Sequence, residues 1–409
     1  MNKFGFAFLL LINLQATSQK INSNNSLWRA AIHRPDGNDI VFNFKVEDVN
    51  RKKNLFIING SEKIKVDNVS FTKDSVFIGM PVFESSFKAK TGNTKWEGEW
   101  TKGTSGKDQI LPFTAERNNY RFKLTQGNAK FNISGRWEVT FESDKTKADA
   151  SIAEFKQTGN KITGTFLTPS GDYRYQEGIV TGNKLMLSGF DGAHAYLFTA
   201  DIISDKTITN GIFYSGAKNK EGWTAVKDAN AKVSTEDVAM YLKPNEEKLN
   251  FHFTDINGKE VGIDDARFKN KVVIVQILGS WCPNCMDETA FLSNYYNKNK
   301  QRGIEVIGLA YEYSTDFNRS VKSLRKFQQR FQVQYPLLIT GVSVSDTLRT
   351  EKTLPQVTPI KVFPSSIIID KKGKVRKFDT GFFGPGTGMH YEEYKKEFYT
   401  TINELLKEK

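Results

Sequence analysis

Two hydrophobic rhythms divide this chain. From about Asn25 to Asp228, "DIVFNFKV", "NLFIING", "DSVFIGM", "RWEVTFES", "NKITGTFL", "NKLMLSGF" and "AYLFTADI" alternate apolar and polar residues, with Gly, Asn and Asp turn signals between them. Successive side chains of a strand point to opposite faces, so a period of two predicts antiparallel sheet with one face buried. Short strands in such succession predict a sandwich or an up-and-down barrel. An offset of 109 aligns Trp28 with Trp137 and "SVFIGM" at 75 with "KLMLSG" at 184, and "PFTA" at 112 stands about 110 before "GWTA" at 222. The recurrence predicts a duplication, with β domains at 25–118 and 130–228.

"AKVSTEDVAMYLKPNEEKLN" then breaks the alternation with a charged stretch containing Pro244, and 231–245 reads as a linker. From 246 to 409 strands alternate with helices. "KVVIVQIL" is apolar on both faces, as a buried central strand requires. "PNCMDETAFLSNYYNKN" predicts a helix with Phe291, Leu292 and Tyr295 on one side, and "DFNRSVKSLRKFQQRF" predicts another. "NFHFTD", "IEVIGLAYE" and "YPLLIT" predict strands, and "SSIIIDKKGKVRKFDTG" a hairpin turning at "DKKGK". The closing helix carries Tyr394, Phe398, Ile402 and Leu405 on one stripe. The order β-β-α-β-α-β-β-α predicts an α/β domain with a mixed sheet. The expected fold is therefore multidomain, an N-terminal all-β region followed by a C-terminal α/β domain.

The chain has 409 residues, enough for two to three domains, and a net charge of +12. Its lysines are spread throughout, and the basic strings "NKNKQR" and "DKKGKVRK" are short and sit at helix ends or turns. That pattern is a solvated basic surface, so no nucleic-acid partner is expected. At the start, "MNKFGFAFLLLINLQATSQ" has Lys3, an apolar core from Phe4 to Leu14, and small residues Ala16 and Ser18 before Gln19. This is the layout of a secretory signal peptide, 1–18, cleaved near Ser18. Its apolar run is too short to span a bilayer, and no other approaches about 18 residues. A soluble, exported, periplasmic protein is expected.

Export changes the meaning of the only two cysteines, in "LGSWCPNCMDE" at 278–288. Outside the cytoplasm thiols tend to pair, yet one close pair makes no disulfide framework, so the pair reads as chemistry. A zinc site needs further ligands, and His33, His194, His252 and His390 are scattered; no metal or cofactor is expected. A disulfide closing so small a loop would stabilise little. Cys282 falls at a helix start, where unpaired N–H groups and the positive end of the dipole favour a thiolate. Pro283 suits the first helical turn. Cys285, one turn on, is placed to close a disulfide with Cys282. Glu288 lies a further turn along and is suited to exchange protons with Cys285 once burial raises its pKa. Trp281 reads as a lid over the pair.

"WCPNC" after a buried strand, Glu288 three residues past the second cysteine, and "VFPSSIIIDKKGKV" together carry a resemblance. Residues 246–409 resemble the TlpA/ResA-type branch of the thioredoxin-like thiol–disulfide oxidoreductases. The resemblance implies that Cys282 attacks, that Cys285 resolves through a redox-active Cys282–Cys285 disulfide, and that Glu288 tunes the thiols. It implies a cis-proline at Pro364, with the adjoining chain pairing to an extended substrate segment. Trp281, Pro283, Phe363 and Pro364 then form the substrate-binding surface. The implied partners are disulfide-bonded proteins and a membrane thiol electron donor. Two positions depart from the pattern. Gln276 stands where thioredoxins carry a buried Asp, and Phe363 where a small or hydroxylated residue is usual. The related peroxiredoxins place a threonine three residues before the reactive cysteine, where this chain has Gly279. A thiol peroxidase is thus the rival enzyme, and a cell-envelope scaffold built on the β domains the rival of another class. "SGRWEVTF" weakly resembles the first strand of lipocalin-like barrels, where a Gly-x-Trp closes one end.

Overall fold

The computed structural model describes residues 25–49, 52–143 and 150–409; the expected signal peptide lies outside them. Among these residues, nine antiparallel strands from Asn25–Ile32 to Gln109–Arg117 form the first sheet. Neighbours in sequence pair with one exception, and the first strand pairs with the last, Trp28 opposite Arg117. One seam of this up-and-down barrel stays unbonded, between Glu62–Val66 and Asn68–Phe71. A second nine-stranded sheet runs from Gly135–Phe141 to Asn219–Lys227 and closes completely. Here Trp137 lies opposite Lys227, and Lys161–Thr168 pairs directly with Gln176–Thr181, closing the ring beside the two-residue strand Gly171–Asp172. The strands Lys52–Asn59 and Lys161–Thr168 begin and end 109 residues apart.

Inward positions fill both barrels with aromatic rings. Phe87 and Phe113 lie 4.6 Å apart by centroid in the first, and Phe198 stacks on Phe166 at 4.2 Å and on Phe213 at 4.4 Å in the second. Ring packing of this kind makes a core rather than a ligand chamber. Trp137 is fully buried, its indole N–H donating to the Ile133 carbonyl at 2.8 Å. Between the barrels Arg121 donates to the Ser188 carbonyl at 2.9 Å and to that of Ile58, and pairs with Glu177 at 3.3 Å.

The C-terminal domain is thioredoxin-like. Its seven described strands lie in the order Glu260–Gly262, His252–Asp255, Leu337–Ile339, Ile304–Ala310, Val272–Leu278, Ser365–Ile369, Val375–Thr380. Val272–Leu278 runs parallel to Ile304–Ala310 and antiparallel to Ser365–Ile369. Every residue of it is buried because both faces are covered. Ile274 and Leu278 pack with residues of α1 (Pro283–Asn299), α2 (Phe317–Phe331) and α4 (Met389–Lys407). Val273, Val275 and Ile277 pack on the other side with Met240, Phe251, Leu354 and Val357.

Met240 shows that the 231–245 stretch is not a free tether: it lies against the sheet, and Leu242 bridges to Val357. Its one regular element is a turn of 3-10 helix, Glu236–Val238. In this domain the strand Glu260–Gly262 and the five-residue α3 (Arg349–Thr353) are among the elements that went unforeseen. Neither is long enough to display a period. Among the described residues no helix is long and apolar enough to cross a membrane.

Candidate active site

The central strand ends at Leu278, and the chain turns through Gly279 and Ser280 into α1. Cys282 is the N-cap of that helix, in extended conformation, and Pro283 occupies its first turn. The Cys282 Sγ accepts the backbone N–H of Cys285 at 3.2 Å, so it satisfies one of the amides that a helix start leaves unpaired. From the opposite side Cys282 Sγ meets the Phe363 carbonyl at 3.5 Å. The Phe363–Pro364 peptide is cis, and the Pro364 carbonyl accepts the Gly381 N–H at 3.0 Å. Both cysteines are thiols, and Cys285 has no exposed surface. Burial pushes the Cys285 thiol well above its ordinary range, with help from the Cys282 sulfur beside it.

Glu288 is also buried. Its Oε2 accepts the Gln276 side-chain amide at 2.8 Å, and its Oε1 accepts the hydroxyls of Ser366 at 2.8 Å and Tyr394 at 3.4 Å. Burial outweighs these donors and raises the carboxyl to about 7. It is thus poised to hold or release a proton near neutrality. Gln276 accepts in turn from Thr289 at 3.0 Å, so it orients Glu288 without itself titrating. Trp281 donates its indole N–H to the Tyr311 carbonyl at 2.8 Å, stacks on Tyr313 and meets Phe363 edge-on. The cysteines, Trp281, Pro283, Glu288, Phe363 and Pro364 therefore come together around one helix start.

The β barrels reach this place as well. Val82, Phe83 and Ala193 share an apolar cluster with both cysteines, leaving Cys282 only 3% exposed. Glu84, beside Phe83, pairs with Arg319 of α2 at 2.7 Å and accepts the Ser323 hydroxyl at 2.6 Å. Arg174, buried in the second barrel, pairs with Asp287 of α1 and with Glu62 of the first barrel, and donates to the Pro283 carbonyl at 3.3 Å. Asp172 accepts the Gly384 N–H at 2.6 Å and the Asn284 amide at 3.4 Å. Burial raises Asp287 to about 7 despite its arginine. Close by, Glu312 accepts from the Ser280 N–H and hydroxyl at 2.8 and 2.6 Å, and burial raises it also to about 7.

None of Arg174, Asp172, Glu84 or Glu312 stood out in the sequence. "SGDYR" there is a turn signal between strands, and a turn signal says nothing of what the turn touches. The one local hint is Gly171, where a glycine serves a φ of 134° and a Cβ would stand 2.5 Å from Asn284 Nδ2.

Residues 244–378 match the AhpC/TSA family. The thiol-disulfide oxidoreductase ResA of Bacillus cereus is 30% identical over 135 residues, 33% of this chain and 68% of its own. ResA of Bacillus thuringiensis is 29% identical over 156 residues, 38% of this chain and 79% of its own. Among solved structures, a thiol:disulfide interchange protein of the thioredoxin family from Chlorobium tepidum is 20% identical, spanning 39% of this chain and 95% of its own, with a TM-score of 0.29. A thiol-disulfide oxidoreductase from Bacteroides fragilis is 15% identical over 37% of this chain and 99% of its own, with a TM-score of 0.29. Through its C-terminal domain, this chain belongs to the ResA family of thiol-disulfide oxidoreductases.

Proposed function

We propose that this oxidoreductase is exported and reduces disulfides in client proteins, with Cys282 as the attacking thiol and Cys285 as the resolving one. The observation that carries the reading is the position of the Cys282 sulfur. It caps α1 by accepting the Cys285 N–H at 3.2 Å while lying 3.5 Å from the carbonyl that precedes Pro364. The first contact presents a helix-start N–H to the sulfur. The second places that sulfur beside an extended segment suited to pair with a client strand.

The Cys282 thiolate attacks one sulfur of the client disulfide; a mixed disulfide forms and the other client sulfur leaves as thiolate and takes up a proton. Glu288 accepts the proton of Cys285, whose sulfur then attacks Cys282 Sγ. The Cys282–Cys285 disulfide forms, the bond from Cys282 to the client breaks, and the second client sulfur leaves as a thiolate that takes the proton held by Glu288. Two electrons and two protons have passed to the client, and a dithiol donor, which we place in the membrane, must return them to the pair. Trp281, Pro283, Phe363 and Pro364 frame the client segment. The domain reading that goes with this is two β domains at 25–118 and 130–228, a connecting segment at 231–245, and the catalytic domain at 246–409.

At 3% exposure Cys282 has no room for a protein disulfide beside it, so the barrel loops must yield during turnover. The Glu84–Arg319 pair is about one-third exposed on both sides and holds weakly, whereas the Arg174–Asp287 pair is buried and costly to break. The loop at 81–84 is therefore the side that opens.

The test is capture with Cys285→Ser in exported full-length protein. Exported client proteins should accumulate as mixed disulfides on Cys282 and vanish in Cys282→Ser. Full-length wild type should also reduce insulin. No captured client and no insulin reduction would overturn the reading.

A further inference from the structure

The two residues between the cysteines, Pro283 and Asn284, are both held by the second β barrel. Arg174 donates to the Pro283 carbonyl at 3.3 Å, and Asp172 accepts from the Asn284 side chain at 3.4 Å. Asn284 makes a second contact, donating to the Phe382 carbonyl at 2.9 Å, and Asp172 also accepts the Gly384 N–H at 2.6 Å. One carboxylate thus joins the dipeptide to the chain that follows the hairpin of the cis-proline strand.

The turn that presents these groups is itself held. Arg174 has a left-handed backbone, φ 56°, fixed by its N–H donating to Asp172 Oδ1 at 2.6 Å. A non-glycine residue kept in that region points to a constraint imposed by its surroundings. Gly171 adds a close approach: a Cβ there would stand 2.5 Å from Asn284 Nδ2 and 3.3 Å from the Phe382 carbonyl. Asp172 and Arg174 are each less than a tenth exposed. Groups so buried are expensive to place, and packing alone between two domains would not need them.

We propose that the second barrel is part of the redox site, with Arg174 and Asp172 as positioning residues that clamp the Pro283-Asn284 dipeptide and so set the potential of the cysteine pair. This rests on the thiol–disulfide reading above. The clamp is seen on the dithiol, with a cation at the start of α1. Loosening it leaves the carboxyl groups of Asp172, Asp287 and Glu62 without their cation at the start of α1. That disfavours a thiolate there relative to the disulfide, so its loss makes the pair more reducing.

The experiment is a glutathione-buffer titration of the Cys282–Cys285 pair in the full-length chain. The variants are Arg174→Gln, Arg174→Lys, and Arg174→Gln combined with Asp287→Asn, in which a buried carboxylate is neutralised with the cation. Both Gln-bearing variants should shift the equilibrium at least threefold toward the disulfide. Arg174→Lys, which keeps the charge and loses the fork, should fall between them and wild type. Folded variants that all titrate like wild type overturn the inference and leave the barrel a structural neighbour. If the Gln-bearing chains do not fold, Arg174→Lys decides, a wild-type potential overturning the inference. The wild type separates the two readings: failure of its pair to exchange with glutathione sinks the functional reading itself.

Discussion

Gln276 holds Glu288: its side-chain amide donates to the buried carboxylate at 2.8 Å, from the position where thioredoxins carry an acid of their own. On the proposed mechanism the proton-bearing group stands on the helix, and the strand supplies its orienting partner. Burial lifts Glu288 from 4.5 to about 7, so between those values the folded chain holds a proton that the unfolded chain has released. Stability from this group is complete below about 4.5 and is lost as pH rises through about 7. Glu288→Gln removes that dependence. Urea midpoints of variant and wild type should therefore move in the variant's favour from pH 5 to pH 8. Midpoints that run parallel across the range would show that the carboxyl is not raised.

The same carboxyl should matter to one half of the reaction only. Cys285 is buried and its thiol is pushed up, so it needs a base before it can attack Cys282. Glu288→Gln should slow release of a client from its mixed disulfide about 100-fold, the lower range for a lost general base. Alkylation of Cys282 by a small reagent should hardly change. Stopped-flow resolution of a preformed mixed disulfide separates the two, and equal loss in both steps would remove Glu288 from the proton path.

Access to Cys282 is governed by a weaker contact. The Phe83 loop packs on the cysteines and is tied to α2 by Glu84 with Arg319 and Ser323. The pair is about one-third exposed, though both Arg319 Nε and Nη2 reach the carboxylate, and it contributes about 1 kcal/mol. Arg319→Ala should accordingly raise alkylation of Cys282 by a bulky maleimide a few-fold, with little change in unfolding midpoint. Alkylation unchanged by this variant and by Phe83→Ala would place the moving part elsewhere.

What could be read in advance follows from how local each signal is. The buried strand "VVIVQIL" and the stripe of α4 advertise themselves through period, and "WCPNC" carries helix start, nucleophile and partner within five residues. Antiparallel sheet, as sandwich or barrel, was legible because inward Trp137, Val139 and Phe141 alternate with Arg136, Glu138 and Thr140. Closure was not: whether Glu62–Val66 bonds to Asn68–Phe71 depends on strands distant in space, and the two barrels differ at that seam. The cover over Cys282 and the clamp at Pro283 and Asn284 are contacts between residues about 90 to 200 apart in sequence. No periodicity encodes such a contact, and a turn like "SGDYR" looks the same whether it faces water or an active site.

Gly171 offers a test of that contact that leaves every charge in place. Its φ of 134° is unfavourable for a side chain, and the Cβ of an alanine would press on Asn284 Nδ2 at 2.5 Å. Gly159 is a fair control, since it also has a positive φ, 57°, but nothing lies within 4 Å of the Cβ position. Gly159→Ala should cost about 1–2 kcal/mol for backbone strain alone. Gly171→Ala carries strain of about the same order plus overpacking, about 1–3 kcal/mol more. Thermal midpoints of the two variants should differ accordingly, and only Gly171→Ala should alter the rate at which Cys282 is alkylated. The neighbour in its way belongs to the cysteine turn, so the barrel's fit is read out at the sulfur. Equal midpoints and equal alkylation in the two variants would mean that Asn284 swings aside at no cost, and that the second barrel does not hold the turn.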